Sequence, residues 1–165
     1  MNMNLATQTP LASATRLPQE LVESTTFLLK RLGFAAKDRT LAAYEETGLH
    51  PYHHAVLLVL DEGAPETQGS IADTLGYDRG QLVGLLDELE ERELVERKRD
   101  PNDRRRHVVR LTPAGKKMLR RLRTLSGQIE DDFLASLDEG QREALHSLLR
   151  RLAETHEPRC APLKP

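Results

Sequence analysis

The sequence has little of what marks several large classes of protein. It contains one cysteine in 165 residues, Cys160, so no internal disulfide framework can form and a reducing cytoplasm is the expected compartment. It has no tryptophan, three tyrosines and three phenylalanines, which argues against aromatic platforms for single-stranded nucleic acid. No apolar run approaches the roughly 18 residues of a membrane span. The first residues also lack the basic and then apolar pattern of a signal peptide, so no membrane association is expected.

Motifs for catalysis and metal binding are missing as well. The chain has no glycine-rich phosphate loop, no Ser-His-Asp candidate set and no metal-ligand spacing, so we expect neither an enzyme nor a cofactor. His50, His53 and His54 form a cluster in which two rings could share a helix face. Two histidines do not make a zinc site without a third ligand, and ordinary packing is the favoured interpretation. Cys160 has only Arg159 as a basic neighbour, which is thin support for a redox sensor.

Charge is present in quantity, and it is unevenly distributed. The net charge is −2, with 30% charged residues, yet the segment Arg97–Arg123 carries twelve Lys or Arg against two acids. The local balance is therefore +10, and the rest of the chain is correspondingly acidic. A basic segment on an acidic body predicts a polyanionic partner more strongly than the overall charge does.

Apolar residues recur every three or four positions through most of the chain, which predicts a mainly helical protein. Thr67, Asp78 and Thr112 are good N-cap residues, and Gly76 ends one short helix before the next begins. Two short helices joined by a glycine-containing turn are typical of a helix-turn-helix. The expected helices are Pro18–Glu46 (bent near Gly33), Pro51 to just before Gly63, Gln68–Leu75, Arg79–Arg92, Pro113–Ser136 and a last one capped by Asp138 with Gln141.

A basic hairpin is expected between the fourth of these helices and the fifth. Two strand-like segments, Leu94–Arg99 and His107–Leu111, flank Asp100-Pro101-Asn102-Asp103, which suits a type I turn. Three adjacent arginines follow the turn, so the hairpin tip is poor core material and good phosphate-binding material. These arginines are Arg104, Arg105 and Arg106.

A helix-turn-helix followed by a two-stranded wing is a winged helix. The predicted fold class is therefore mainly α (α+β), a winged helix-turn-helix with additional N- and C-terminal dimerisation helices. The outer helices carry apolar stripes that a small winged core cannot cover, and a symmetric homodimer is the commonest solution. We expect a flexible arm over 1–16, a dimerisation helix over 17–48, the DNA-binding lobe over 49–112, C-terminal dimerisation helices over 113–156 and a flexible tail over 157–165.

The chain resembles the MarR family of bacterial transcriptional regulators over about residues 17–157. The segment Asp100–Gly115 is similar to the family's wing signature, an Asp-x-Arg followed by a strand and Leu-Thr-x-x-Gly. Leu85–Arg97 resembles the end of the recognition helix and the first wing strand. Glu93 stands where the family usually has glycine, and Gly84 where it often has a long polar residue. The resemblance implies a homodimer on double-stranded operator DNA, repression more often than activation, and often a small-molecule effector.

Residues for DNA binding are expected on the wing and at the start of the fourth helix. On that helix Arg79 suits a guanine or a phosphate, Gln81 suits an adenine, and Gly80 lets the backbone approach DNA. Its acidic second half should stay away from phosphates. Gln68 and Ser70 are expected phosphate contacts. The arginines Arg104, Arg105 and Arg106 are expected in the minor groove or on phosphates, with Asp103 orienting Arg105, and Lys116 is a flanking contact on an otherwise solvated helix face.

An effector pocket lined by Phe34, Tyr44, Tyr52 and His53 is a further expectation, set against ordinary packing of the same residues. It follows the family's arrangement, in which the pocket lies between the dimer helices and the winged lobe. The sequence also leaves open a winged-helix ligand- or protein-binding module that does not bind specific DNA. The +10 segment argues against that alternative.

Overall fold

A computed structural model describes residues 16–62, 66–100 and 107–160. The chain divides into two compact units between Lys37 and Asp38. No described helix is long and apolar enough to cross a membrane. The elements are α1 (Gln19–Glu23), α2 (Thr25–Glu45), α3 (Pro51–Asp61), β1 (Glu66–Thr67), α4 (Gln68–Leu75), α5 (Arg79–Glu91), β2 (Val95–Arg99), β3 (His107–Leu111), α6 (Pro113–Phe133), α7 (Glu139–His156) and the 3₁₀ turn Pro158–Cys160.

The expected first helix is two helices, and the break between them is not at Gly33. The break falls at Ser24, whose backbone is extended at φ −79° and ψ 114°. The Ser24 hydroxyl accepts a hydrogen bond from the Phe27 amide at 3.4 Å, so Ser24 acts as an N-cap for α2. Gly33 lies inside the uninterrupted α2. The prediction gave weight to a glycine and overlooked a serine that can start a helix.

Side-chain caps delimit the short helices of the lobe. Thr67 caps α4 through a reciprocal pair with Ser70, and Gly76 closes that helix in the left-handed conformation at φ 65°. Asp78 then caps α5 by accepting hydrogen bonds from the amides of Gly80 and Gln81 at 2.8 and 3.1 Å. These caps confirm the expected helix-turn-helix, including the bounds Gln68–Leu75.

The wing has one strand more than predicted. The sheet order is β1-β3-β2, all antiparallel, because Glu66 and Thr67 pair with Val109 and Val108. β2 and β3 pair in register from Val95 opposite Leu111 to Arg99 opposite His107. The third strand ties the start of α4 to the wing, so the two halves of the lobe share one sheet.

The junction between the wing and α6 explains the motif Leu-Thr-Pro-Ala-Gly. The Thr112 hydroxyl donates to the Glu93 carbonyl at 2.6 Å and accepts from the Gly115 amide at 2.9 Å. A Cβ built at Gly115 would overlap the Leu94 carbonyl oxygen, so only glycine lets α6 begin this close to the end of α5. Glu93 adopts φ 58°, a left-handed conformation that explains why glycine suits this position.

The core of the second unit lies in the winged lobe. It is built from α3, α4, α5, the sheet and the first half of α6, with Leu57, Ile71, Leu86, Leu89 and Leu122 among its fully buried side chains. α6 ends at Phe133, three residues before the expected end. α7 begins with the expected reciprocal cap, and none of its residues is buried within the chain.

The C-terminal segment beyond α7 is described as far as Cys160. Pro158–Cys160 form a single 3₁₀ turn. Arg159 donates to the Leu75 carbonyl at 3.3 Å, next to the turn between α4 and α5, and pairs with Glu157 at 2.7 Å. The predicted flexibility of this tail stays a prediction.

Candidate nucleic-acid interface

The start of α5 presents polar groups to solvent on a firmly packed helix. Arg79, Gly80 and Gln81 are exposed, whereas the apolar side of the same helix is in the core. The buried residues are Leu82, Leu85, Leu86 and Leu89. Because the buried leucines fix the helix rotation, the side chains of Arg79 and Gln81 project from a rigid support. A guanidinium and an amide at a helix N-terminus are suited to base edges in a major groove.

Glycine at position 80 has a local structural reason besides the expected close approach to DNA. A Cβ built at Gly80 would lie 3.0 Å from the Asp78 carboxylate oxygen that caps the helix. The same position is exposed, so the backbone at the first turn is open to a ligand. At Gly84, one turn further on, a Cβ would meet nothing within 4 Å.

The two residues expected to contact phosphate at the start of α4 differ in their availability. The Ser70 hydroxyl is engaged at the helix cap, 2.8 Å from the donating Thr67 amide and 2.9 Å from the Thr67 carbonyl that accepts its proton. Gln68 is half-buried at the first position of α4. The Ser70 side chain therefore has a capping role that the sequence pattern of Thr67 and Ser70 could have indicated.

The acidic second half of α5 is tied to the rest of the lobe. Arg97 of β2 donates to Asp87 at 2.6 Å and to Glu90 at 2.5 Å, and its backbone amide donates to Glu90 at 3.2 Å. On another side of the helix, His53 Nε2 lies 3.0 Å from a Glu88 carboxylate oxygen. Sequence reasoning missed these contacts because they join residues from separate elements.

Some of the basic residues counted in the sequence already have partners within the chain. Arg123 pairs with Asp61 at 2.8 Å and Lys98 pairs with Glu96 at 2.6 Å, in addition to the pairs made by Arg97. Lys116 is exposed in the first turn of α6, which follows the wing directly. Asp103, Arg104, Arg105 and Arg106 fall in 101–106, outside the described residues; the strands on either side end at the Arg99–His107 pair.

Three of the four expected effector residues lie in the second unit. The Tyr44 hydroxyl is 2.6 Å from His54 Nδ1, and both side chains are buried. His53 Nδ1 accepts the His50 amide at 2.9 Å. Tyr52 is exposed and packs edge-on against Tyr77, with 5.2 Å between ring centroids. Phe34 belongs to the first unit and is exposed.

The histidine cluster is integrated in the lobe. Burial lowers the pKa of His53, with Arg92 and His50 acting in the same direction and Glu88 opposing them. Because His53 Nδ1 accepts a hydrogen bond, the neutral ring carries its proton on Nε2, which faces Glu88. The carboxylate lies off the direction of that N–H, so the contact is electrostatic rather than a linear hydrogen bond. Among the described residues, no group of three or more His, Cys, Asp or Glu could hold a metal ion.

Comparison with known proteins agrees with this geometry. The model of the MarR family matches residues 47–106. The uncharacterized HTH-type transcriptional regulator YcgE of Bacillus subtilis is 30% identical to the chain, and the match covers 88% of this chain and 94% of YcgE. The chain belongs to the MarR family. The HTH-type transcriptional repressor NicR of Pseudomonas putida is 28% identical over 85% of this MarR-family chain and 89% of NicR.

Solved structures connect this MarR-family fold with DNA. The transcriptional repressor CouR, solved bound to a 23-mer DNA duplex, is 36% identical to this chain with a TM-score of 0.73. The match covers 84% of this chain and 99% of CouR. The family membership, the winged helix-turn-helix and the DNA-binding regulator function expected from the sequence are thereby confirmed.

Proposed function

We propose that the protein is a homodimeric transcriptional repressor that binds a roughly palindromic operator in double-stranded DNA. The observation that carries the proposal is the start of α5, where Arg79 and Gln81 project from a helix locked by four buried leucines. Each lobe places this helix in a major groove, and the wing lies over the adjacent minor groove. The two half-sites then lie about one helical turn apart.

Individual contacts follow from the same arrangement. Arg79 and Gln81 contact base edges or neighbouring phosphates, while Gln68 and Lys116 flank them on the DNA backbone and Ser70 holds the start of α4 through its cap. In the wing, Arg104, Arg105 and Arg106 meet the minor groove and phosphates, and Asp103 orients Arg105. Since most of the binding energy comes from phosphates, affinity falls steeply with salt concentration.

The dimer is formed by the outer helices. α7 leaves Leu148, Leu149 and Leu152 exposed, at 58%, 40% and 47% of their surface, which a second copy of the chain would cover. A two-fold symmetric dimer matches a palindromic operator. In this proposal the protein acts in the cytoplasm as a regulator without catalytic activity.

An effector that changes the spacing of the two lobes completes the proposal. PcaV of Streptomyces coelicolor, 26% identical to this chain with a TM-score of 0.66, was solved in complex with its natural ligand. The effector of this protein binds near Tyr44, Tyr52 and His53 of the second unit. Tyr52 is the exposed member of this set within the second unit. An effector would lower operator affinity by stabilising a lobe spacing that does not fit the two half-sites.

The experiment begins with sequencing of the genomic fragments that co-purify with the protein, which yields the operator. Arg79→Ala and Gln81→Ala are then compared with the wild type on this operator and on mismatched sites. A Gln81→Ala loss confined to the operator supports base reading, and equal losses on both show that Gln81 reads no base. Failure of the wild type to enrich any fragment would favour a ligand- or protein-binding module.

A further inference from the structure

The proposed recognition helix α5 carries more negative charge than is expected of a helix that binds DNA. Its second half contains Asp87, Glu88, Glu90 and Glu91. Carboxylates beside a phosphate backbone oppose binding unless something neutralises them or holds them away. The structure shows that two of these four acids share one partner, the guanidinium of Arg97 in β2.

The geometry of this contact is specific to arginine. Asp87 and Glu90 are three positions apart on a helix, so both carboxylates point to the same side. One terminal nitrogen of Arg97 reaches Asp87 and the other reaches Glu90, and the Arg97 amide adds a third hydrogen bond to Glu90. The Arg97 side chain is 20% exposed, which makes it the more buried member of both pairs. Forked, charge-assisted contacts of this kind fix direction as well as distance.

Arg97 sits where it can control the wing. β2 pairs with β3 over five residue pairs up to Arg99 and His107, which flank the tip segment 101–106. The tie from Arg97 to α5 lies near the middle of this ladder. Any change in the angle between α5 and β2 would therefore be carried along the paired strands to Arg99 and His107.

We propose that Arg97 is a positioning residue for DNA binding. It fixes the wing relative to the recognition helix α5, so that both elements reach their grooves together. It also neutralises Asp87 and Glu90 at the side of α5 that faces the wing. Arg97 itself does not contact DNA. This inference rests on the proposed function, because it assumes that α5 and the wing bind the same duplex.

For the removal of an acid, the proposal predicts a change in operator affinity opposite to the change expected from net charge alone. Removing an acid from a DNA-binding surface should strengthen binding if only charge matters. If Glu90 instead anchors Arg97, Glu90→Ala weakens binding although the protein becomes less negative. Glu91 is the matched control, since it is exposed on the same helix and the described residues show no ion pair for it. Glu91→Ala should leave affinity unchanged or slightly higher.

A second pair of variants separates position from positive charge on β2. Arg97→Met and Lys98→Met each remove one cation, but Lys98 is 58% exposed, and its ion pair among the described residues is with Glu96 of its own strand. Operator affinity is measured by fluorescence anisotropy over a range of salt concentrations. Arg97→Met should weaken binding by about tenfold or more and lower the salt slope by about 1–2, because wing–phosphate contacts are lost together. Lys98→Met should lower the slope by about 1 at most.

Hydroxyl-radical footprinting on the operator reports which positions are protected, and a general loss of protein stability would not change this pattern selectively beneath the wing. With Arg97→Met, protection of the minor groove beneath the wing should be lost while protection flanking the major groove remains. Arg97→Lys keeps the charge without the fork and should restore only part of the affinity. Glu90→Gln serves as a milder variant if Glu90→Ala lowers the melting temperature.

The outcomes distinguish a failure of the proposed function from a failure of the role assigned to Arg97. If the wild type binds no operator, the proposed function itself fails. If the wild type binds and Glu90→Ala binds more tightly, Arg97 is not a positioning residue and the acids act only by repulsion. The proposal is also overturned if Arg97→Met and Lys98→Met lose equal affinity with unchanged footprints.

Discussion

Two amphipathic helices of the same unit, α5 and α7, differ in how far their apolar sides are buried. α5 has four leucines on its apolar side, and all four are buried against the lobe. α7 carries an equally clear leucine stripe, yet none of its residues is buried within the chain. Sequence periodicity is the same kind of signal in both cases. The difference lies in whether other described residues of the same unit cover the stripe.

The comparison separates the energetic roles of the two regions. Burying a leucine contributes about 1.5–3 kcal/mol relative to leaving it exposed, so α5 stabilises the fold of the single chain. The same contribution from α7 becomes available only when another surface covers it. The lobe is therefore expected to fold independently of association, whereas α7 contributes its apolar energy to assembly.

The largest effect should come from the core of the lobe. Leu86 of α5 is fully buried, at 0% exposure. Leu86→Ala should lower the free energy of unfolding by about 2–5 kcal/mol through lost burial and a residual cavity. Leu148→Ala on α7 is the matched control. Chemical denaturation at several protein concentrations checks the comparison, and a concentration-independent loss for Leu86→Ala is expected. A loss below 0.5 kcal/mol, taken as roughly that of a surface site, would contradict the assignment of this core.

The second effect concerns association. Replacing Leu148 and Leu152 together by Ser should raise the dimer dissociation constant by about 100-fold, since each side chain forfeits its burial in two copies. Sedimentation-velocity centrifugation measures the constant, and circular dichroism should show unchanged helix content. A dimer with wild-type affinity would mean that the exposed stripe of α7 is not part of the interface.

The third effect compares two glycines of α6, whose replacement by alanine should change the stability of the protein in opposite directions. Gly115→Ala places a methyl group against the Leu94 carbonyl and should destabilise the protein by about 1–3 kcal/mol. Gly127 lies in the same helix with nothing within 4 Å of a built Cβ. Gly127→Ala should therefore stabilise the protein by about 0.5–1 kcal/mol. Melting temperatures of both variants at one protein concentration provide the test, and equal shifts would refute the close approach at Gly115.

The smallest effect is a pH dependence confined to the lobe. Burial, aided by Arg123, lowers the pKa of His54 below 6.5, and burial also lowers that of His53. The unfolded chain takes up these protons near pH 6.5 while the folded chain stays neutral, so stability falls as the pH drops through this value. The loss ends below the lowered pKa values and amounts to about 1.4 kcal/mol for each unit of lowering. Urea unfolding between pH 7.5 and 5 measures it, and stability that rises on acidification would contradict the neutral, buried state.

Local signals predicted much of this fold. Thr67 and Gly76 delimit α4 at the expected residues, and His107–Leu111 form the expected strand. Helix caps and turn residues act over a few positions, so a sequence displays them directly. The two-residue β1 is too short to show any alternation, and it forms only because Val108 and Val109 offer it a partner.

The candidate site was predictable to a smaller extent, because part of it depends on contacts between segments that are far apart in the sequence. Exposure of Arg79 and Gln81 follows from the leucine spacing of α5. The pairing of Asp87 and Glu90 with Arg97 joins a helix to a strand and cannot be deduced from either segment alone. Sequence reasoning therefore predicted for the acids only that they stay away from phosphates, and it counted Arg97 as one more basic residue of the positive segment.

The central claim is that two copies of this chain read a specific duplex through the first turns of α5. The most direct measurement is the ratio of dissociation constants for the operator and a scrambled duplex of equal length, taken by anisotropy at physiological salt. The account predicts a ratio of about 10³ or more, two protomers per duplex, and a marked drop in the ratio when Arg79 and Gln81 are both replaced by Ala. Equal affinities of the wild type for the two duplexes would contradict it.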